Sequence, residues 1–169
     1  AGLQVSFEAL LQDKLELNLV EGIILPNMKT SGENERCGFL NGEGRCSVHA
    51  LRPGFCRIFP LGRFYENHSF QYFLQVHECP REPKLKVKVQ KWIDTPDLKR
   101  NEKFIIDWHY FLKDVTARLG EQNGEQYQKM IDLYILKSFY QEEWEKDRDF
   151  YEQFDERLTK AKEILKISG

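Results

Sequence analysis

Residues Arg36 to Arg63 read RCGFLNGEGRCSVHALRPGFCRIFPLGR and hold three of the chain's four cysteines, with five arginines and no lysine. The fourth, Cys79, follows an aromatic-rich segment, so every cysteine lies between Cys37 and Cys79. Cysteines that act only as small hydrophobes scatter over core positions, whereas soft thiolate ligands converge from short, stiff segments. The clustering points to zinc or iron held by Cys37, Cys46, Cys56 and Cys79.

Asn41-Gly42 is a strong hairpin signal, because a type I′ turn needs positive φ at both central residues. With that turn, Leu40 pairs with Glu43, Phe39 with Gly44 and Gly38 with Arg45, and Cys37 falls opposite Cys46. Cross-strand partners have Cβ atoms about 4.5 to 5.5 Å apart, so this register delivers two thiolates to one point. Pro53 and Gly54 then form a turn that swings Cys56 back toward the hairpin, and Pro80 fixes the exit direction behind Cys79. The spacing Cys-x8-Cys-x9-Cys-x22-Cys lacks a Cys-x2-Cys knuckle. Buried free thiols and disulfides therefore stay open beside the metal reading. His49 and His77 lie close to Cys46 and Cys79 and are candidates for a missing ligand, although an isolated histidine near a strand end is more often a satisfied polar residue.

Four thiolates on a divalent metal carry a net charge of −2, and burying that charge needs compensation. Arg36, Arg45, Arg52, Arg57 and Arg63 are opposed locally only by Glu43. Arg45, Arg52 and Arg57 are the expected supporting residues, donating toward sulfur or carbonyl groups. The alternative is that these arginines are solvated or bind an acidic partner.

At 169 residues, with 41% hydrophobic and 13% aromatic residues, the chain is long enough for one sizeable core. We expect a single domain over residues 1–169: an N-terminal helix and extended segment (1–36), the cysteine-cluster region (37–80) and a helical scaffold (81–169). A formal charge of −2 and a pI near 6.1 argue against nucleic acid as a partner. No apolar run approaches the roughly 20 residues that span a bilayer, so no membrane partner is expected. Without an export signal the expected compartment is the reducing cytoplasm, where clustered cysteines favour metal over disulfides. The chain opens at Ala1 without a methionine, and a preceding segment is expected to have been removed or omitted.

Val5 to Val20, with Phe7, Leu10, Leu11, Leu15, Leu17, Leu19 and Val20 apolar behind Ser6, reads as an amphipathic helix at its start; the alternation at Leu15, Leu17 and Leu19 is closer to a strand period, so the helix is expected to end early. Glu21 to Lys29 reads as an extended piece stopped by Pro26. Arg63 to Glu78 reads as two aromatic-rich strands around a turn at Asn67 to Ser69. From Pro96 the period becomes 3.6. Leu98 to Leu119 traces one helical face ending at Gly120, Tyr127 to Phe139 a second helix, and Tyr151 to Leu165 a third. Glu142 to Asp149 reads as a solvated connection. The fold class is α+β and mostly helical: a small cysteine-rich hairpin and loop region followed by a bundle of about three helices.

The run CGFLNGEGRCSVHALRPGFCRIFPLG, Cys37 to Gly62, resembles the YkgJ-like cysteine-cluster family of zinc- or iron-chelating domains. The shared pattern is carried by Cys37, Phe39, Leu40, Gly44, Cys46, Arg52, Pro53, Cys56, Arg57 and Pro60, and Cys79 fits a later cysteine. The resemblance implies zinc or iron bound by these cysteines. Family members usually carry a further Cys-x2-Cys-Cys cluster upstream, which residues 1–36 lack; the four cysteines here are then part of a larger ligand set. Flagellin lysine N-methylases look similar around the cluster, but the chain shows no Gly-rich strand-to-helix loop for S-adenosylmethionine, so methyl transfer is a remote alternative.

Three function classes compete. The first is a metal-binding protein with a structural thiolate site and a helical scaffold. The second is a redox protein or enzyme with an iron–sulfur cluster of the four-iron type. The third is a protein-interaction module using Arg and aromatic residues between Phe55 and Phe73. No Ser-His-Asp order, metalloprotease helix or phosphate loop stands out, and His109 beside Trp108 and Tyr110 reads as a packed histidine. The sequence assigns no catalytic residue.

Overall fold

The structure, a computed structural model, describes residues 3–33, 35–78, 86–121 and 124–167. The described residues are about half helical, with six α-helices and small two-stranded sheets. Among them no helix is long and apolar enough to cross a membrane. The chain divides into two compact units, one formed by Ala1–His49 with Phe111–Gly169, the other by Ala50–Tyr110.

In the first unit, helix α1 (Phe7–Asp13) starts at Ser6, whose hydroxyl accepts from Ala9 N at 3.1 Å, and ends after Asp13. The helix ends early, as the alternation of Leu15, Leu17 and Leu19 suggests, and the chain turns extended. Strand β1 (Leu15–Val20) pairs antiparallel with β2 (Ile23–Met28), Val20 facing Ile23 and Leu15 facing Met28. Pro26 does not stop the second strand. It sits inside β2 opposite Leu17, because a two-stranded sheet has only edge strands and an edge tolerates a missing N–H.

The free edge of this hairpin is covered by side chains from the C-terminal helices, which answers the cost of unpaired edge groups. Helix α5 (Glu125–Leu136) supplies the buried Asp132, whose Oδ1 accepts from Ile24 N at 2.9 Å, and Gln128, whose amide donates to Gly22 O and to Asp132. Thr116 Oγ1, on helix α4 (Leu98–Glu121), donates to Glu21 O at 2.9 Å. The core of the unit is built from Ile23, Phe111, Val115, Ile131, Ile135, Phe154, Leu158, Ala161 and Leu165, the last four on helix α6 (Phe150–Leu165). Each large apolar side chain so buried contributes about 1.5–3 kcal/mol. Helix α4 runs through Gly120 to Glu121 rather than ending before it.

A π-helical turn, Lys137–Gln141, follows α5. The connection from Glu142 to Asp149 is more ordered than a solvated linker. Arg157 donates to the carbonyls of Ser138 (2.7 Å), Glu142 (3.1 Å) and Glu143 (2.6 Å), and its guanidinium lies 3.8 Å above the Trp144 ring. The buried Gln153 exchanges hydrogen bonds with both the N–H and the carbonyl of Glu145. Carbonyls left open at a helix C-terminus need such partners.

The second unit holds helix α2 (Gly54–Ile58), strands β5 (Leu61–Glu66) and β6 (Ser69–Leu74), helix α3 (Val89–Ile93) and the first turns of α4. Asn67 and His68, both at positive φ, make the turn between β5 and β6. One face of that hairpin carries Arg63, Tyr65, Phe70 and Tyr72 toward α4: Tyr65 stacks on His109 at 3.7 Å and Tyr72 Oη donates to Glu102 at 3.3 Å. His109 is thus packed, as expected. On the other face the Phe73 ring occupies the space a Cβ on Gly62 would need.

Candidate metal centre

Cys37 ends strand β4 (Arg36–Cys37), which pairs with β3 (Thr30–Ser31) so that Cys37 faces Thr30. The expected register, with Cys37 opposite Cys46, does not form. An isolated bridge joins Cys46 to Leu40 instead. The cause is the Asn41 side chain: its Oδ1 accepts from Glu43 N at 3.0 Å and Arg45 N at 2.9 Å, while Asn41 N donates to Arg45 O at 2.9 Å. This longer loop places the left-handed residue at Gly44, φ 74°, rather than at Asn41 and Gly42. A type I turn followed by a left-handed glycine is the common alternative to the two-residue turn, and glycine meets that φ without a Cβ penalty.

Cys37 and Cys46 are nevertheless connected through one residue, since Leu40 N donates to Cys37 O at 3.0 Å and Leu40 bridges Cys46. Phe39, buried between them in sequence, accepts at its carbonyl from both Ser47 N and Ser47 Oγ at 2.8 Å. Lys14 was not singled out from the sequence. Its Nζ donates to Gly38 O at 2.9 Å, pairs with Asp13 at 3.1 Å and stands 5.7 Å from the Phe39 ring centroid. A contact across 24 residues of chain leaves no periodic trace that could have announced it.

Cys56 lies on α2 in the second unit, its N–H donating to Pro53 O at 3.0 Å. Cys37 and Cys46 are half-buried free thiols, and Cys56 is half-buried as well. Cys79 and Pro80 lie outside the described residues. His49, in a short 3-10 turn (His49–Leu51), and His77 are exposed. Among the described residues, no three His, Cys, Asp or Glu side chains are grouped to hold a metal ion.

The three arginines behave differently. Arg57 donates to the carbonyls of Arg52 (3.1 Å), Ala50 (3.0 Å) and Asp94 (3.2 Å), which fastens the two ends of α2 and the end of α3. Arg45 is exposed, 3.9 Å from Glu43. Arg52 keeps a buried Nε with no hydrogen-bond partner. An orphaned donor of that kind is costly and fits an anionic neighbour such as a thiolate. Soft sulfur donors are the ligand type that zinc and iron take, but the described residues do not bring three of them together.

Among the tyrosines of the second unit, Tyr65 and Tyr72 have their pKa raised by burial, opposed by the Arg63 guanidinium. In the first unit burial alone pushes Tyr140 up to about 12.

No curated protein and no solved structure matches the chain. Residues 6–80 do match a family model, CxxCxxCC, described as "Putative zinc- or iron-chelating domain", the same cysteine-cluster family that the motif from Cys37 to Gly62 resembles.

Proposed function

We propose that the chain is a metal-binding protein whose Cys37, Cys46, Cys56 and Cys79 thiolates take up zinc or iron, with Arg45, Arg52 and Arg57 offsetting their charge. The observation that carries the reading is that Cys37, Cys46 and Cys56, all half-buried, lie inside the matched segment 6–80. The unpartnered Arg52 Nε supports it from the electrostatic side. In a closed four-thiolate zinc site no coordination position stays open, so zinc here would serve the fold. Iron held by the same thiolates would supply electron transfer instead.

What this chain does for the metal is to hold thiols in place. The Asn41 loop and the Lys14 to Gly38 bond fix Cys37 and Cys46, and the three carbonyl bonds of Arg57 fix the helix that carries Cys56. Elemental analysis with an optical spectrum, on the natural-length protein purified without oxygen, tests the proposal. Zinc with a colourless sample is the structural outcome. Iron with charge-transfer absorbance that bleaches on reduction is the cluster outcome. A sample with neither metal and four freely reactive thiols refutes both.

A further inference from the structure

The corner formed by α2 and α3 turns its two isoleucines, Ile58 and Ile93, inward, and leaves larger apolar rings outside. Phe55, Phe59 and Trp92 are 56%, 47% and 48% exposed, so each residue stays about half open to solvent. Trp92 Nε1 donates to the backbone carbonyl of Phe59 at 3.0 Å, which ties α3 to the residue that follows α2. The same corner is basic. Residues 50–61 and 86–94 contain Arg52, Arg57, Lys86, Lys88 and Lys91 against one carboxylate, Asp94. Lys86, Lys88 and Lys91 are exposed and, among the described residues, enter no ion pair.

Exposed aromatics on segments that also carry exposed lysines call for an anionic occupant. Two classes fit, an acidic polypeptide and an anionic phospholipid surface, and the identity of the cations separates them. Protein interfaces enrich Arg and deplete Lys, because a flexible, strongly hydrated ammonium loses much freedom in a fixed contact. A diffuse field of headgroups demands no fixed geometry, and Trp and Phe favour the headgroup level with the ring partly in the acyl region. We propose that Phe55, Phe59, Trp92, Lys86, Lys88 and Lys91 form a peripheral contact for an anionic phospholipid surface. The contact lies on the surface and spans nothing, and it departs from the sequence expectation of no membrane partner. It does not depend on metal binding.

The test is sedimentation of the full chain with vesicles of phosphatidylcholine carrying about one-third phosphatidylserine, against vesicles of phosphatidylcholine alone. The chain is expected to sediment with the anionic vesicles, to be released by salt, and to show a blue-shifted tryptophan emission that Trp92→Phe abolishes. Each lysine near such a surface is worth about fivefold in partitioning, so the triple variant Lys86→Gln, Lys88→Gln, Lys91→Gln is expected to lose about a hundredfold. These lysines are exposed, so circular dichroism of the triple variant should match the parent, and Phe55→Ser should weaken binding without changing its salt dependence. Absence of binding to anionic vesicles at low salt, equal binding to neutral ones, or an unaffected triple variant overturns the proposal. Binding to polyglutamate without binding to vesicles also overturns it, and assigns the corner to an acidic protein.

Discussion

The Nζ of Lys14 donates to the carbonyl oxygen of Gly38 at 2.9 Å, and so ties the end of the first helix to the residue that follows Cys37. A hydrogen bond from a charged donor contributes about 1.5–3 kcal/mol when buried, and the lower end applies at this half-covered site. Lys14→Met keeps the aliphatic stem and is expected to cost about 1–2 kcal/mol. The drop should appear as a lower urea midpoint at unchanged slope.

Asn41 organises the loop between the first two cysteines by accepting two backbone N–H groups at one oxygen. Asn41→Ala removes both bonds and is expected to destabilise by about 1–2 kcal/mol, with Asn41→Asp largely conserving stability. If that loop sets the placement of Cys46, Asn41→Ala also weakens metal retention against a chelator, whereas Asn41→Asp does not.

Asp132 accepts from Ile24 N and from Gln128 while itself buried. Asp132→Ala strands the Ile24 N–H at the hairpin edge, a loss of about 2–3 kcal/mol. Amide exchange at Ile24 is the specific readout and should rise far more than at core positions of α6.

Burial raises the Tyr140 pKa from 10.0 to about 12. Below pH 10 the hydroxyl is protonated in both the folded and the unfolded chain, and the full stability is present. Between pH 10 and 12 the unfolded chain loses the proton while the folded chain keeps it, so stability falls as pH rises, by roughly 2–3 kcal/mol in total. Tyr65 and Tyr72, shifted the same way, add to that slope. Tyr140→Phe should flatten the alkaline limb of the pH–stability curve and leave the neutral region unchanged in slope.

Much of this architecture was legible before any coordinates. Ser6 announced the first helix, the alternation at Leu15, Leu17 and Leu19 announced that this helix ends early, though not the strand that follows, and the 3.6 period after Pro96 announced the three long helices. Those signals are local, set by side-chain periodicity and capping chemistry. The failures came where one polar side chain chose between local alternatives. Asn41 used its own carboxamide to close a longer loop, which moved the left-handed residue to Gly44 and brought Leu40 rather than Cys37 opposite Cys46. Pro26 was read as a stop because its edge position, opposite Leu17, depends on a pairing between separate segments. The bonds of Lys14, Arg57 and Arg157 to distant carbonyls were invisible for the same reason.

The central claim is that the cysteines hold a metal, and metal stoichiometry tests it most directly. The natural-length chain, purified without oxygen, should carry zinc or iron at a fixed molar ratio with its thiols shielded from alkylation, and Cys46→Ser purified in parallel should have lost most of it. A parent protein with neither metal above background, and with Cys37, Cys46, Cys56 and Cys79 all alkylated at the rate of free thiols, would contradict the account.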